Sequence, residues 1–123
     1  MTRQDEPLEA EVEAGGSRIP YLRAGTGLPA LLLRARPTPG DPGLPELART
    51  YRVHLILHPP PPGGDEAEDW LRRVIEGLGL REPEIFADAA LAPTLSHLVA
   101  RNGGLVGRVI FMTGPADARA GES

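Results

Sequence analysis

The stretch that most constrains the fold is residues 84–112, EIFADAALAPTLSHLVARNGGLVGRVIFM. A short apolar run, Ile85-Phe86, leads into a turn of small residues, Ala87-Asp88-Ala89-Ala90. Leu91, Leu95, Leu98 and Val99 then recur at helical spacing. Gly103-Gly104 ends that helix, because glycine accepts the positive φ of a helix C-terminus. A second apolar run, Val109-Ile110-Phe111-Met112, follows. Strand, tight turn, helix and strand make the crossover unit of a parallel sheet.

The rest of the chain supplies more strands. Residues 8–13 alternate apolar and charged, the period of a half-exposed strand. Gly15-Gly16 is a hairpin signal, and Ile19 to Leu22 forms the second arm. Gly25-Thr26-Gly27 is a further turn. Ala30-Leu31-Leu32-Leu33 has no polar face and reads as a sheet-centre strand. Residues 34–45 are broken by Pro and Gly and form a loop. Residues 51–57 are another buried strand, followed by the stiff loop His58-Pro59-Pro60-Pro61-Pro62. Asp65 is expected to cap the next helix, with Glu68 three residues on. Trp70, Leu71, Val74, Ile75 and Leu78 give that helix one apolar face, and Gly79 ends it. The core is expected at Leu31, Leu32, Leu33, Val53, Leu55, Leu57, Ile85, Leu95, Leu98, Val109 and Phe111.

These motifs, in this order, resemble the N-terminal half of the α/β hydrolase family. The family's nucleophile elbow, G-x-S-x-G, aligns with Ala87-Asp88-Ala89-Ala90-Leu91, so Ala89 occupies the nucleophile slot. Tyr21 with Gly25-Thr26-Gly27 matches the opening hairpin and its Gly-x-Gly turn. Arg34-Ala35 stands where the family has His-Gly, and His58-Pro59-Pro60 where it has Asp-x-Pro-Gly. The resemblance covers residues 8 to 112. It implies an α/β fold: a three-layer, open, mostly parallel sheet, minimal and without a lid. The implied strand order is 1-2-4-3-5-6, with the first hairpin antiparallel to the rest and helices near 44–49, 66–78 and 91–102. A single domain over residues 1–123 is expected, with 1–7 and 114–123 flexible.

Composition narrows the function classes. The chain has 123 residues, no Cys and a net charge of −4, so disulfide scaffolding, thiol catalysis and Cys metal sites are excluded. All 13 basic residues are Arg. They are scattered, which argues against nucleic acid. The acidic N-terminus does not suit a signal peptide, and no apolar run suits a membrane span. A cytoplasmic protein without cofactor or metal is expected.

The chemistry of the fold needs a nucleophile, an oxyanion hole and a later acid–histidine pair. Ala89 has no attacking atom, and no histidine follows His97. The resemblance therefore implies a non-catalytic, truncated hydrolase-like protein, a pseudoenzyme acting as a binding or interaction module. The alternative is a minimal hydrolase of ester-type substrates with an unorthodox site of Asp88, His58 and backbone donors. A histidine within reach of Asp88 would favour it; the plainer reading of Asp88 is a helix-start carboxylate favoured by the dipole. Candidate binding residues are Arg34, Ala35, Arg36, His58, Asp88 and Ala90, for a small acidic ligand. His54 is expected in the core and His97 on the surface. An unpaired edge at Val109-Ile110-Phe111-Met112 points to a homodimer through that strand, the alternative cover being residues 113–123 folding back over it.

Overall fold

The computed structural model describes residues 7–61, 64–101 and 103–112. The expectations for 1–6 and 114–123 lie outside these residues. Six strands form one sheet: β1 (Leu8–Ala14), β2 (Ser17–Ala24), β3 (Leu28–Leu33), β4 (Tyr51–Ile56), β5 (Glu84–Asp88) and β6 (Val109–Met112). Three helices accompany them: α1 (Gly43–Leu47), α2 (Gly64–Leu78) and α3 (Ala92–Arg101). The order across the sheet is β1-β2-β4-β3-β5-β6, as expected from the sequence. β2 alone runs against its neighbours; β4, β3, β5 and β6 are parallel. The hairpin as a whole is therefore not reversed, since β1 turns back into the sense of the parallel strands.

Strand alternation sorts the core into two layers. Leu31, Leu33, Ile56 and Ile85 pack with Leu71 and Val74 of α2 and with Leu95 and Leu98 of α3. Leu32, Val53, Leu55 and Phe86 face the other way, against Leu44 of α1. β3 is covered on both sides, which is why Ala30 to Leu33 has no polar face. The turn after β2 is held tightly against this frame. Gly25 has φ +85°, and a Cβ there would run into the carbonyl oxygens of Tyr51 and Ala48.

Three expected core residues are not fully buried. Leu57 lies just past the end of β4, and Val109 is half-buried. Phe111 is 40% exposed. β6 is the last strand of the sheet, so β5 covers only one of its sides. Val99, counted on the apolar face of α3, is also exposed. Helix α2 begins at Gly64, which places Asp65 and Glu66 in its first turn rather than Asp65 at its cap. Among the described residues, no helix is long and apolar enough to cross a membrane.

Candidate functional site

The carboxyl ends of β3 and β5 are joined by a buried charge cluster. Arg34 follows β3 directly and is buried. Its Nε and Nη2 donate to the two oxygens of Asp41, at 2.6 and 3.0 Å. Its Nη1 donates to Oδ1 of Asp88 at 2.7 Å. The guanidinium is thus held in its charged form by Asp41 first, against the cost of burial, with Asp88 adding to it. Asp41 also accepts the Gly43 N–H at 2.8 Å. A side chain at Gly43 would press on Arg34 Nη2 at 2.9 Å and Asp41 Oδ1 at 3.2 Å, so the start of α1 is shaped around the pair.

The second oxygen of Asp88 accepts the backbone N–H of Ala35 at 2.8 Å. The resemblance places oxyanion donors at Ala90 and the Ala35-Arg36 turn, and the Ala35 N–H is one of them. That donor is already engaged by a carboxylate of the same chain. Asp88 stands at the head of a 3-10 turn, Ala89–Leu91, but makes no side-chain cap bond to it. Asp88 thus stands at a helix start, as expected, but its carboxylate crosses to the residues just after β3, where two strong donors, Arg34 and the Ala35 N–H, outcompete the local amides.

The turn itself is not an elbow under strain. Asp88 has φ −62° and ψ 145°, and Ala89 opens the 3-10 turn directly. Among the described residues, Glu82 is the non-glycine residue with positive φ. The strained, outward-aimed geometry of a nucleophile elbow is therefore lacking at Ala89.

Of the residues expected at one site, the structure gathers Arg34, Ala35 and Asp88. Arg36 and Ala90 are exposed. His58 donates from Nδ1 to the carbonyl oxygen of Pro59 at 2.7 Å, with its ring 6.4 Å from that of Trp70. Among the described residues, the hydrogen-bond partners of Asp88 are Arg34 and Ala35, and no histidine joins them. Asp41 was missed. Its signal in the sequence is a single acidic residue within a Pro/Gly loop, seven residues after Arg34.

The other histidines settle differently. His54 is buried, and its Nδ1 donates to the Ala30 carbonyl at 3.2 Å. Burial pushes its pKa below the ordinary value, and the nearby Arg52 and Arg23 push it the same way. His97 lies against α2, its Nε2 3.3 Å from Asp65 Oδ1 and 3.8 Å from Glu68 Oε1. Asp65, Glu68 and His97 bring ligand atoms within 4.8 Å of one another, close enough for a metal ion. Spacing along the sequence hid this set, because it spans two helices. Both Glu68 oxygens already face arginines, Arg72 at 3.1 Å and Arg101 at 3.3 Å. Those cations compete with any metal.

No protein-family model and no curated protein matches the sequence. Solved structures do match. A carboxylesterase from Bacillus subtilis aligns with TM-score 0.71 at 12% identity, over 87% of this chain and 43% of that one. A serine hydrolase of carbazole degradation aligns with TM-score 0.70 at 24% identity, over 87% and 48%. A 2-hydroxy-6-oxo-6-phenylhexa-2,4-dienoate hydrolase from Rhodococcus sp. strain RHA1 aligns with TM-score 0.66 at 16% identity, over 85% and 45%. The chain has the α/β hydrolase fold. It spans less than half the length of these solved chains.

Proposed function

We propose that this chain is a non-catalytic member of the hydrolase-fold world, a pseudoenzyme that works as a binding or interaction module. One observation carries the reading: the Asp88 carboxylate occupies the Ala35 N–H, beside an alanine in the nucleophile slot. An acidic ligand entering here would have to displace a carboxylate already held by Arg34. This internal occupation of the Ala35 donor supports the reading.

The test is a chromogenic short-chain ester assay on the purified chain, beside Asp88→Asn and His58→Ala variants. Turnover no greater than background is expected in all three. Turnover in the parent that both substitutions abolish would overturn the reading and favour a minimal hydrolase built on Asp88 and His58.

Interaction is supported by the surface at β6. An open apolar groove of about 350 Å³, lined by Leu95, Ser96, Val99, Ala100, Val109 and Phe111, runs between α3 and the sheet edge. The occupant we propose is a second copy of the chain. The groove carries no charge, so two copies meet there without like-charge repulsion. Arg108, beside Val109 in the sequence, is paired with Glu84 at 3.0 Å. Antiparallel pairing of two β6 strands about Ile110 sets each Val109 opposite the partner subunit's Phe111, a β-branched–aromatic pair of the favourable kind.

A further inference from the structure

A second polar site lies at the other end of the parallel strands. There an open cavity of about 370 Å³ sits between β1, β2 and β4 and the last turn of α2. Strand alternation decides which side chains face it. Ile19 and Tyr21 of β2 pack in the α2-side core, and so does Ile56 of β4. With period two, Arg23 shares the face of Tyr21, and His54 and Arg52 share the face of Ile56. The antiparallel register places Arg23 opposite His54 and Tyr21 opposite Ile56. Arg52 is then the diagonal neighbour of Arg23, and Tyr21 that of His54, at about 7–8 Å. The Tyr21 and His54 rings are in contact, with centroids 5.7 Å apart.

Glu11 and Glu13 also line the cavity, and strand alternation turns their carboxylates away from it. Glu11 and Glu13 alternate with the buried Val12, so they leave β1 on the opposite face. There Glu11 meets Arg18 at 3.6 Å. The end of helix α2 and the residues just after it contribute the uncharged Gly77, Leu78, Gly79 and Leu80. The carbonyls of Glu76 and Ile75 accept the N–H groups of Gly79 and Leu80. Among the described residues, Arg23 and Arg52 have no carboxylate within ion-pair distance, whereas seven other arginines do.

We propose that Arg23 and Arg52, with the Tyr21 hydroxyl and the His54 ring, form a binding site for a phosphate monoester dianion. Two guanidinium forks match the two charges of the dianion and the geometry of its oxygens. The cavity is larger than a phosphate alone and leaves room for the esterified group. His54 already uses Nδ1 on Ala30, so its free Nε2 is the atom that would take a proton when the dianion arrives. This site is separate from the Arg34–Asp88 cluster and does not rest on the proposed function.

The experiment is an NMR titration of the His54 ring signals with inorganic phosphate, at constant ionic strength set by chloride. Saturable binding at millimolar phosphate is expected, with the His54 pKa rising by half a unit or more. Arg23→Gln and Arg52→Gln should each weaken binding at least tenfold, Arg23→Lys less, and Arg81→Gln not at all. Thermal melts without phosphate check that the variants are folded. No His54 response, a response unchanged in both Gln variants, or one reproduced by chloride would overturn the site. Acetate binding as tightly as phosphate would overturn the phosphate assignment.

Discussion

Nη1 of Arg34 lies 2.7 Å from Oδ1 of Asp88, tying the end of β3 to the end of β5 across 54 positions of sequence. The bond makes a binding-type surface into a structural joint. Removing Arg34 strands two carboxylates in a buried setting, whereas removing Asp88 leaves Arg34 with Asp41. Arg34→Met is therefore expected to cost about 3–5 kcal/mol. Asp88→Ala should cost about 1.5–3 kcal/mol, the range of a charged hydrogen bond. The double variant should cost less than the sum, because the two share one interaction. Urea unfolding of the four proteins measures this; additive losses would show the pair is not coupled.

Ala89→Ser is expected to give no esterase activity. The serine would sit in an unstrained 3-10 turn, with the Ala35 donor filled and His58 turned to Pro59. An ester assay of the variant should match the parent. A saturable rate would mean that a group described here as structural reaches residue 89.

Stability should fall in mild acid because of His54. Its pKa is lowered in the folded protein, chiefly by burial, so the unfolded chain binds the proton more readily. The contribution is full above the ordinary value of 6.5 and is lost as pH falls below it. The slope is at most about 1.4 kcal/mol per pH unit for one proton. Carboxylates titrate mainly below about pH 5, which leaves a window between 5 and 6.5 for the histidine. Denaturation midpoints across that window should slope in the parent and flatten in His54→Gln; equal slopes would assign the effect to another group.

The sheet edge predicts self-association. Sedimentation at tens of micromolar should give a dimer, and Phe111→Glu should give a monomer of unchanged thermal stability, because the side chain is exposed. A monomeric parent would refute the dimer. So would a dimer indifferent to Phe111→Glu.

Much of the fold was legible because it rests on short-range patterns. The unbroken apolar run Ala30 to Leu33 marks a strand covered on both faces. The spacing of Leu95 and Leu98 marks the buried side of α3. The strand order followed from the resemblance, motif by motif. The site was less legible because its chemistry is tertiary. Arg34 finds Asp41 only through the path of a loop, and Asp88 only through the pairing of β5 with β3. His97 meets Asp65 and Glu68 only where two helices touch. Phe111 reads as core from its own strand and is exposed on β6, the last described strand of the sheet.

The position of β3 has a consequence for the order in which the molecule assembles. It lies between β4 and β5, so its second side stays unpaired until residues 84–88 join. Until then Arg34 lacks its second carboxylate, and a fully apolar strand remains an open edge. Long-range parallel pairing of this kind is slow to form. The step that closes the sheet centre is therefore the same step that gives Arg34 its second carboxylate, and refolding should gain tertiary structure and the Arg34–Asp88 contact in one phase.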